Sequence, residues 1–193
     1  FLSNQEILGA NFTFSKYSSK LPALLAGEMP NIFSDVYAGG ALMDLGVYCL
    51  YLAIGFFGKP ISSNYTAQQL PNSVDLYGQG VLIYPDFQVA IQAGKNITSH
   101  LPAEIYTKTG TLTLNAVAAI NQARFISHSG EIIDLPIQPC PHQMQEEAEA
   151  FALAIAHQKP SAYLEWLQTA EQVHETLYQM RQSAGIQFKD EKE

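Results

Sequence analysis

Residues Gly39–Gly58 read GGALMDLGVYCLYLAIGFFG, and Lys59-Pro60 follows directly. Two glycines open the stretch, a helical pattern runs through it, and Gly58 with the proline behind it forms a helix stop. An apolar stripe of Leu42, Leu45, Cys49, Leu52 and Phe56 predicts a buried face. Asp44 and Tyr48 lie four residues apart and therefore share one face, which Tyr51 continues a turn later. Gly46 and Gly55 each cost about 1 kcal/mol of helix propensity against alanine, which points to something packed close to the backbone at both. A carboxylate and a phenol on so apolar a helix have two readings. Asp44 is either a first-turn acid favouring the helix dipole or a group facing a cleft. Tyr48 is either a core aromatic with a satisfied hydroxyl or a proton-handling side chain. Spacing does not choose between them.

Outward from the helix, the pattern changes. Glu6–Ser15 reads as a strand, and the long connection from Ser18 to Gly40 delivers the chain to the helix. Its aromatics Phe33 and Tyr37 either rim a pocket or pack the helix start. After Pro60 the period drops to two. Asn64–Gln69, Val74–Gly78 and Val81–Tyr84 read as strands, and the last pairs with Gln88–Ala93 across Pro85-Asp86-Phe87. Ala103–Lys108 with Thr111–Leu114, and Ala123–Ser127 with Glu131–Leu135, make two further hairpins. Successive hairpins give an antiparallel sheet rather than a doubly wound one. Two amphipathic helices close the chain. His142–Gln158 turns Met144, Ala148, Phe151 and Ile155 to one face, and Lys159-Pro160 stops it. Tyr163–Ala184 carries a stripe of Trp166, Ala170, Val173, Leu177 and Met180, and is capped by Gly185. The fold class expected is α+β, an open, mostly antiparallel sheet with these helices on one face.

Composition narrows the function. The chain has 193 residues, 47% apolar and 15% charged, an ordinary globular mix with room for a sizeable core. Its 18 acidic residues outnumber 10 basic ones, for a net charge of −8, and no basic stripe offers itself to nucleic acid. Cys49 and Cys140 read as free thiols of a reducing compartment, so a cytoplasmic protein is expected. Asp44 and the tyrosines interrupt the one long apolar run, which argues against a membrane span. The chain begins at Phe1 without a methionine or charged leader, which reads as a fragment.

The five histidines form no ligand pair, so no metal is expected. Gly78-Gln79-Gly80 leads into a strand and lacks a third glycine, so it is no dinucleotide fingerprint and no cofactor-binding residue is assigned. Asp75 reads as a sheet-edge carboxylate before a cleft residue. Lys95 and Asn96 read as a solvated loop before a contact to a polar substrate group.

The string GGALMDLGVY with its closing FFGKP resembles the signature helix of the Gfo/Idh/MocA oxidoreductases. The resemblance continues through Val74-Asp75, Gly80–Tyr84 and Asp86-Phe87, and again through Glu147–Phe151 and Arg181–Ile186. Family members join an N-terminal Rossmann domain to a C-terminal α/β domain, and the signature helix of the second lines the substrate pocket. The resemblance therefore implies that residues 1–193 are a substrate-binding and dimerisation domain whose Rossmann partner lies outside this chain. It implies an NAD- or NADP-dependent dehydrogenase acting on CH–OH groups of a sugar, polyol or dihydrodiol, with the dinucleotide held mainly by the absent domain. Tyr48 matches a position that carries His or Tyr in the family, and resembles the tyrosine-type members such as glucose–fructose oxidoreductase and the dimeric dihydrodiol and xylose dehydrogenases. It would be the catalytic acid–base. A phenol is a poor base at neutral pH until a cation favours the phenolate, and by resemblance that cation is a lysine of the missing domain. A second negative charge nearby opposes the base role, so Asp44 is expected to bind substrate rather than take the proton. The open sheet face implies a homodimer or higher oligomer. The alternative is a non-catalytic dimerisation or ligand-binding module.

Overall fold

A computed structural model describes residues 2–138, 142, 144–156 and 160–191. Eight strands form one sheet in the order β2-β3-β4-β1-β5-β6-β7-β8. They are β1 (Ile7–Ser15), β2 (Ser62–Gln69), β3 (Asp75–Ile83), β4 (Gln88–Gly94), β5 (Ala103–Thr107), β6 (Gly110–Leu114), β7 (Ala123–Ser127) and β8 (Ile132–Leu135). Only β1 against β4 is parallel, in register from Gly9 opposite Gln88 to Ser15 opposite Gly94; every other pair is antiparallel. The mostly antiparallel α+β fold and its three hairpins are as the sequence predicts. One strand differs. Val74–Gly78 and Val81–Tyr84, read as two strands, are a single strand β3 that runs straight through Gly78 and Gly80. Glycine in a strand marks a close approach, and here the approach is by side chains. A Cβ on Gly78 would stand 2.3 Å from the Tyr65 hydroxyl, and one on Gly80 2.3 Å from Cε of Met180.

The helices are α1 (Leu21–Leu25), α2 (Val47–Phe57), α3 (Gln145–Ala156) and α4 (Pro160–Ser183). A π-helical turn, Leu42–Gly46, leads into α2. Its wider turn interrupts the 3.6-residue period. Leu42 and Cys49 of the predicted stripe are fully buried, and Gly46, Leu50 and Ala53 are buried beside them, whereas Phe56 is exposed and Leu45 and Leu52 are half-buried. Gly46 does mark a close approach, with its would-be Cβ 2.9 Å from Cδ1 of Leu42 and 3.5 Å from Ala93. Gly55 does not: nothing lies within 4 Å of its Cβ position.

Helix α2 rests on β1 and β4, and α4 packs on α2 and β2. Between helices and sheet lie Phe12, Leu50, Leu82, Ile91, Val173 and Met180, all fully buried or nearly so. Each large apolar side chain buried this way contributes about 1.5–3 kcal/mol. The expected stripe of α4 holds from Val173 onward, but Trp166 is exposed. Helix α3 departs further: it packs mainly on α4, and Met144, Phe151 and Ile155 of the expected apolar face are exposed. Residues 157–159, including His157 and the stop at Lys159, lie outside the described residues, as do Pro139, Cys140 and Pro141. The stretch Asp35–Phe57 has the length and apolarity to cross a membrane, despite its interruptions. In the fold it is the core helix together with its lead-in turns, set against the sheet.

Candidate functional site

Strand β3 holds the helix at both ends. At its start, fully buried Asp75 accepts the backbone N–H of Leu42 at 2.8 Å and the Tyr65 hydroxyl at 2.9 Å, both on Oδ2. Asp75 is therefore an anchor for the helix N-terminus, neither the sheet-edge carboxylate nor the cleft residue expected. Burial pushes its carboxyl above the usual carboxylate range, against the pull of the two donors. Gly40, at φ +128°, is what admits the carboxylate, since a Cβ there would meet Asp75 Oδ1 at 2.2 Å. Just past the end of β3, the Tyr84 hydroxyl donates to the Gly58 carbonyl at 2.9 Å. Phe57 meets the rings of Tyr84 and Phe87 edge-on, with centroids 5.8 and 5.1 Å away.

Between these ends the helix turns its polar residues outward. Tyr48 is 46% exposed and rests edge-on against Phe14 of β1, with centroids 5.4 Å apart. Tyr51 is exposed one turn on. Asp44 is half exposed and lines an open hollow of about 250 Å³ with Asn31, Tyr37, Gly39 and Met43. The two alternatives for the loop aromatics are thus divided: Tyr37 rims the hollow, and Phe33 is fully buried.

The sequence reading missed Lys95. This residue follows β4, and its side chain is only 3% exposed rather than solvated. Its ammonium pairs with Oδ2 of Asp44 and lies 5.8 Å from the centre of the Phe33 ring. Its backbone is tied on both sides, Lys95 N–H to Leu76 O at 2.7 Å and Ser18 N–H to Lys95 O at 2.8 Å. The one available signal was its position: two small residues, Ala93 and Gly94, precede it on a strand whose inner face is buried. Asn96 donates to Gln68. Cys49 is buried beneath the helix, and burial pushes its thiol up to about 12.

Among the described residues no cluster of three His, Cys, Asp or Glu could hold a metal. Gly78 and Gly80 lie inside a strand with Tyr65 and Met180 over them, which leaves no room for a phosphate.

Asp44 and Tyr37 thus line the hollow, with a buried cation paired to Asp44, while Tyr48 stands one turn along the helix and is not among the lining residues. A family described as GFO/IDH/MocA C-terminal domain matches residues 6–113, more than half of the chain. The chain belongs to the Gfo/Idh/MocA family. Among its relatives, the uncharacterized oxidoreductase YgjR of Escherichia coli is 35% identical over 75% of this chain and 44% of its own length. The scyllo-inositol 2-dehydrogenase (NADP(+)) IolU of Bacillus subtilis is 31% identical over 76% of this chain and 45% of its own. The chain thus spans under half the length of these relatives. The fold is shared with KijD10, a 3-ketoreductase from Actinomadura kijaniata solved with NADP, at a TM-score of 0.68 and 20% identity over 93% of this chain and 52% of that one. The chain is thus a domain of an oxidoreductase family.

Proposed function

We propose that residues 1–193 are the substrate-binding and proton-transfer domain of an NAD(P)-dependent dehydrogenase acting on a CH–OH group, with an N-terminal Rossmann domain outside this chain. The observation that carries the reading is the exposure of both Tyr48 and Asp44, one turn apart on the outward side of a helix whose other side is core. The name of the relative IolU favours a polyol within the broader class of sugars, polyols and dihydrodiols, and NADP as the cofactor. When bound, the nicotinamide supplies or accepts hydride. Tyr48 gives the accompanying proton to the carbonyl oxygen in reduction and takes it from the hydroxyl in oxidation. Asp44 accepts a hydrogen bond from a substrate hydroxyl and so fixes the reacting carbon. Phe14 holds the tyrosine ring in place from the sheet side.

The test uses the whole protein with scyllo-inositol, D-xylose and a benzene dihydrodiol as substrates and either NADP+ or NAD+. Tyr48→Phe keeps the ring and deletes the hydroxyl, so kcat is expected to fall by about 10²–10⁴-fold with cofactor affinity unchanged. Asp44→Asn is expected to raise KM and lower kcat together. Unchanged kcat in a folded Tyr48→Phe protein would remove Tyr48 from the mechanism and leave the non-catalytic module as the better reading. The domain is further proposed to act in the cytoplasm and to pair with a second copy through the outer face of its sheet, where Tyr106, Ile126 and Ile132 are exposed.

A further inference from the structure

Lys95 and Asp44 form an asymmetric pair. The lysine is 3% exposed and the carboxylate 54%. Asp44 could be hydrated where it stands and needs no partner to be tolerated. A buried ammonium, by contrast, is costly without an opposing charge. The carboxylate therefore makes the lysine's burial tolerable, and in return the fixed ammonium holds one oxygen of an otherwise solvated Asp44 in place. The main chain of Lys95 is tied by hydrogen bonds to Leu76 and Ser18, and its ammonium lies against Asp44 and 5.8 Å from the centre of the Phe33 ring. Contact with Lys95 uses Oδ2 of the carboxylate, while Oδ1 takes no hydrogen bond from any described residue. The other buried carboxylate, Asp75, uses Oδ2 for Leu42 and Tyr65, and among the described residues the lysine's ion pair is with Asp44.

We propose that Lys95 is a positioning residue for the reaction: it acts through Asp44, holding one carboxylate oxygen so that the other meets a hydroxyl of a polyol-type substrate. The pair is electrically neutral, so Asp44 orients substrate without setting a net negative charge beside the Tyr48 phenol. This rests on the proton-transfer reading given above.

Three forms of the whole protein test it: wild type, Lys95→Met, and Lys95→Met/Asp44→Asn. None of them leaves an ammonium buried without its counter-charge. With scyllo-inositol, D-xylose and the benzene dihydrodiol as probes, Lys95→Met is expected to lose kcat/KM on the order of 10²-fold, as for a misplaced substrate contact. KM should rise, and calorimetry should show a parallel rise in the dissociation constant. The double variant should match Lys95→Met within about twofold, because Asp44 no longer contributes once its lysine is gone. Thermal melting on the same preparations separates this from a purely structural role, in which Tm falls while the folded fraction keeps its kcat/KM. That pattern overturns the proposal, as does a double variant that loses a further tenfold. A wild type that neither binds nor oxidises any of the probes counts against the functional reading itself. A wild type that does, with Tyr48→Phe inactive and Lys95→Met unchanged, counts against Lys95 alone.

Discussion

Asp75 offers a test of how the helix that carries the site is held. Its Oδ2 is the acceptor for the Leu42 N–H and for the Tyr65 hydroxyl, and the residue is fully buried. Asp75→Ala leaves both donors buried and unsatisfied. Each orphaned donor costs about 1–3 kcal/mol, so the two together cost about 2–6 kcal/mol, a large part of the 5–15 kcal/mol typical of a folded protein. Asp75→Asn keeps an oxygen for both donors and removes the charge. Burial raises the carboxyl's pKa in the folded state above its unfolded value near 3.8. The sign follows: the group's contribution is complete below that unfolded value and is lost as pH rises through the folded one. Asparagine does not titrate, so its Tm relative to wild type should climb with pH across that window. Calorimetric melts of the three proteins from pH 4 to 8 are the assay. An asparagine variant as damaged as the alanine one refutes the acceptor role. A gap to wild type that moves down with rising pH refutes the burial argument.

Gly80→Ala would place a Cβ 2.7 Å from the Asn64 carbonyl and 2.3 Å from Cε of Met180. The methionine can turn aside but the backbone of β2 cannot, so a loss of about 1–3 kcal/mol is expected in denaturant titrations. Glu191 is held down to about 2 by the Arg181 guanidinium. Its contribution is present above an unfolded pKa near 4.5 and is lost as pH falls through about 2, so the Tm deficit of Glu191→Gln should be seen at pH 6 and close on acidification. Pairing through the outer sheet face predicts that light scattering gives twice the chain mass for the wild-type protein and a monomer for Ile126→Lys/Ile132→Lys, with Tm little changed at these two exposed positions.

The fold was legible wherever local pattern and tertiary environment agree. Thr109-Gly110 and Ser129-Gly130 announce hairpins because their turns need little from the rest of the chain. The buried stripe of the helix was read correctly at Leu42 and Cys49 but not at Leu45, Leu52 and Phe56, since a 3.6-residue period does not reveal the π turn within it. Strand β3 was split in two because a glycine's effect on a strand depends on which side chain lies over it. Here Tyr65 and Met180 come from β2 and α4. In the site, Asp44 and Tyr48 could be picked out as polar residues on an apolar helix. Lys95 could not, since a lysine after a strand is ordinarily solvated and its burial depends on Asp44 some fifty residues earlier in the chain.

The segments that carry the family resemblance turn out to do different kinds of work. Asp75, Tyr84 and Phe87 all come from β3 or the turn after it, and all three contact the signature helix: one at its first amide, two at its last residues. The spacing is consistent with this. The helix from Leu42 to Phe57 is about 24 Å long at 1.5 Å per residue, and β3 from Asp75 to Ile83 is about 27 Å at 3.4 Å per residue. One strand can therefore hold both ends of one helix, and the two run in the same direction. Arg181 fixes the far end of α4 by donating to the Ile186 carbonyl at 3.0 Å. Glu147–Phe151, in contrast, lies on α3, which has no buried residue and where Phe151 is exposed. Most of the resemblance therefore maintains the position of a helix rather than a reaction. In the proposed reading the chemistry rests on Asp44 and Tyr48, on the outward side of that helix, and on the lysine beneath it. Loosening either end of the helix should thus impair substrate positioning before it impairs folding, and the milder Asp75→Asn variant should raise KM even where its Tm equals that of wild type.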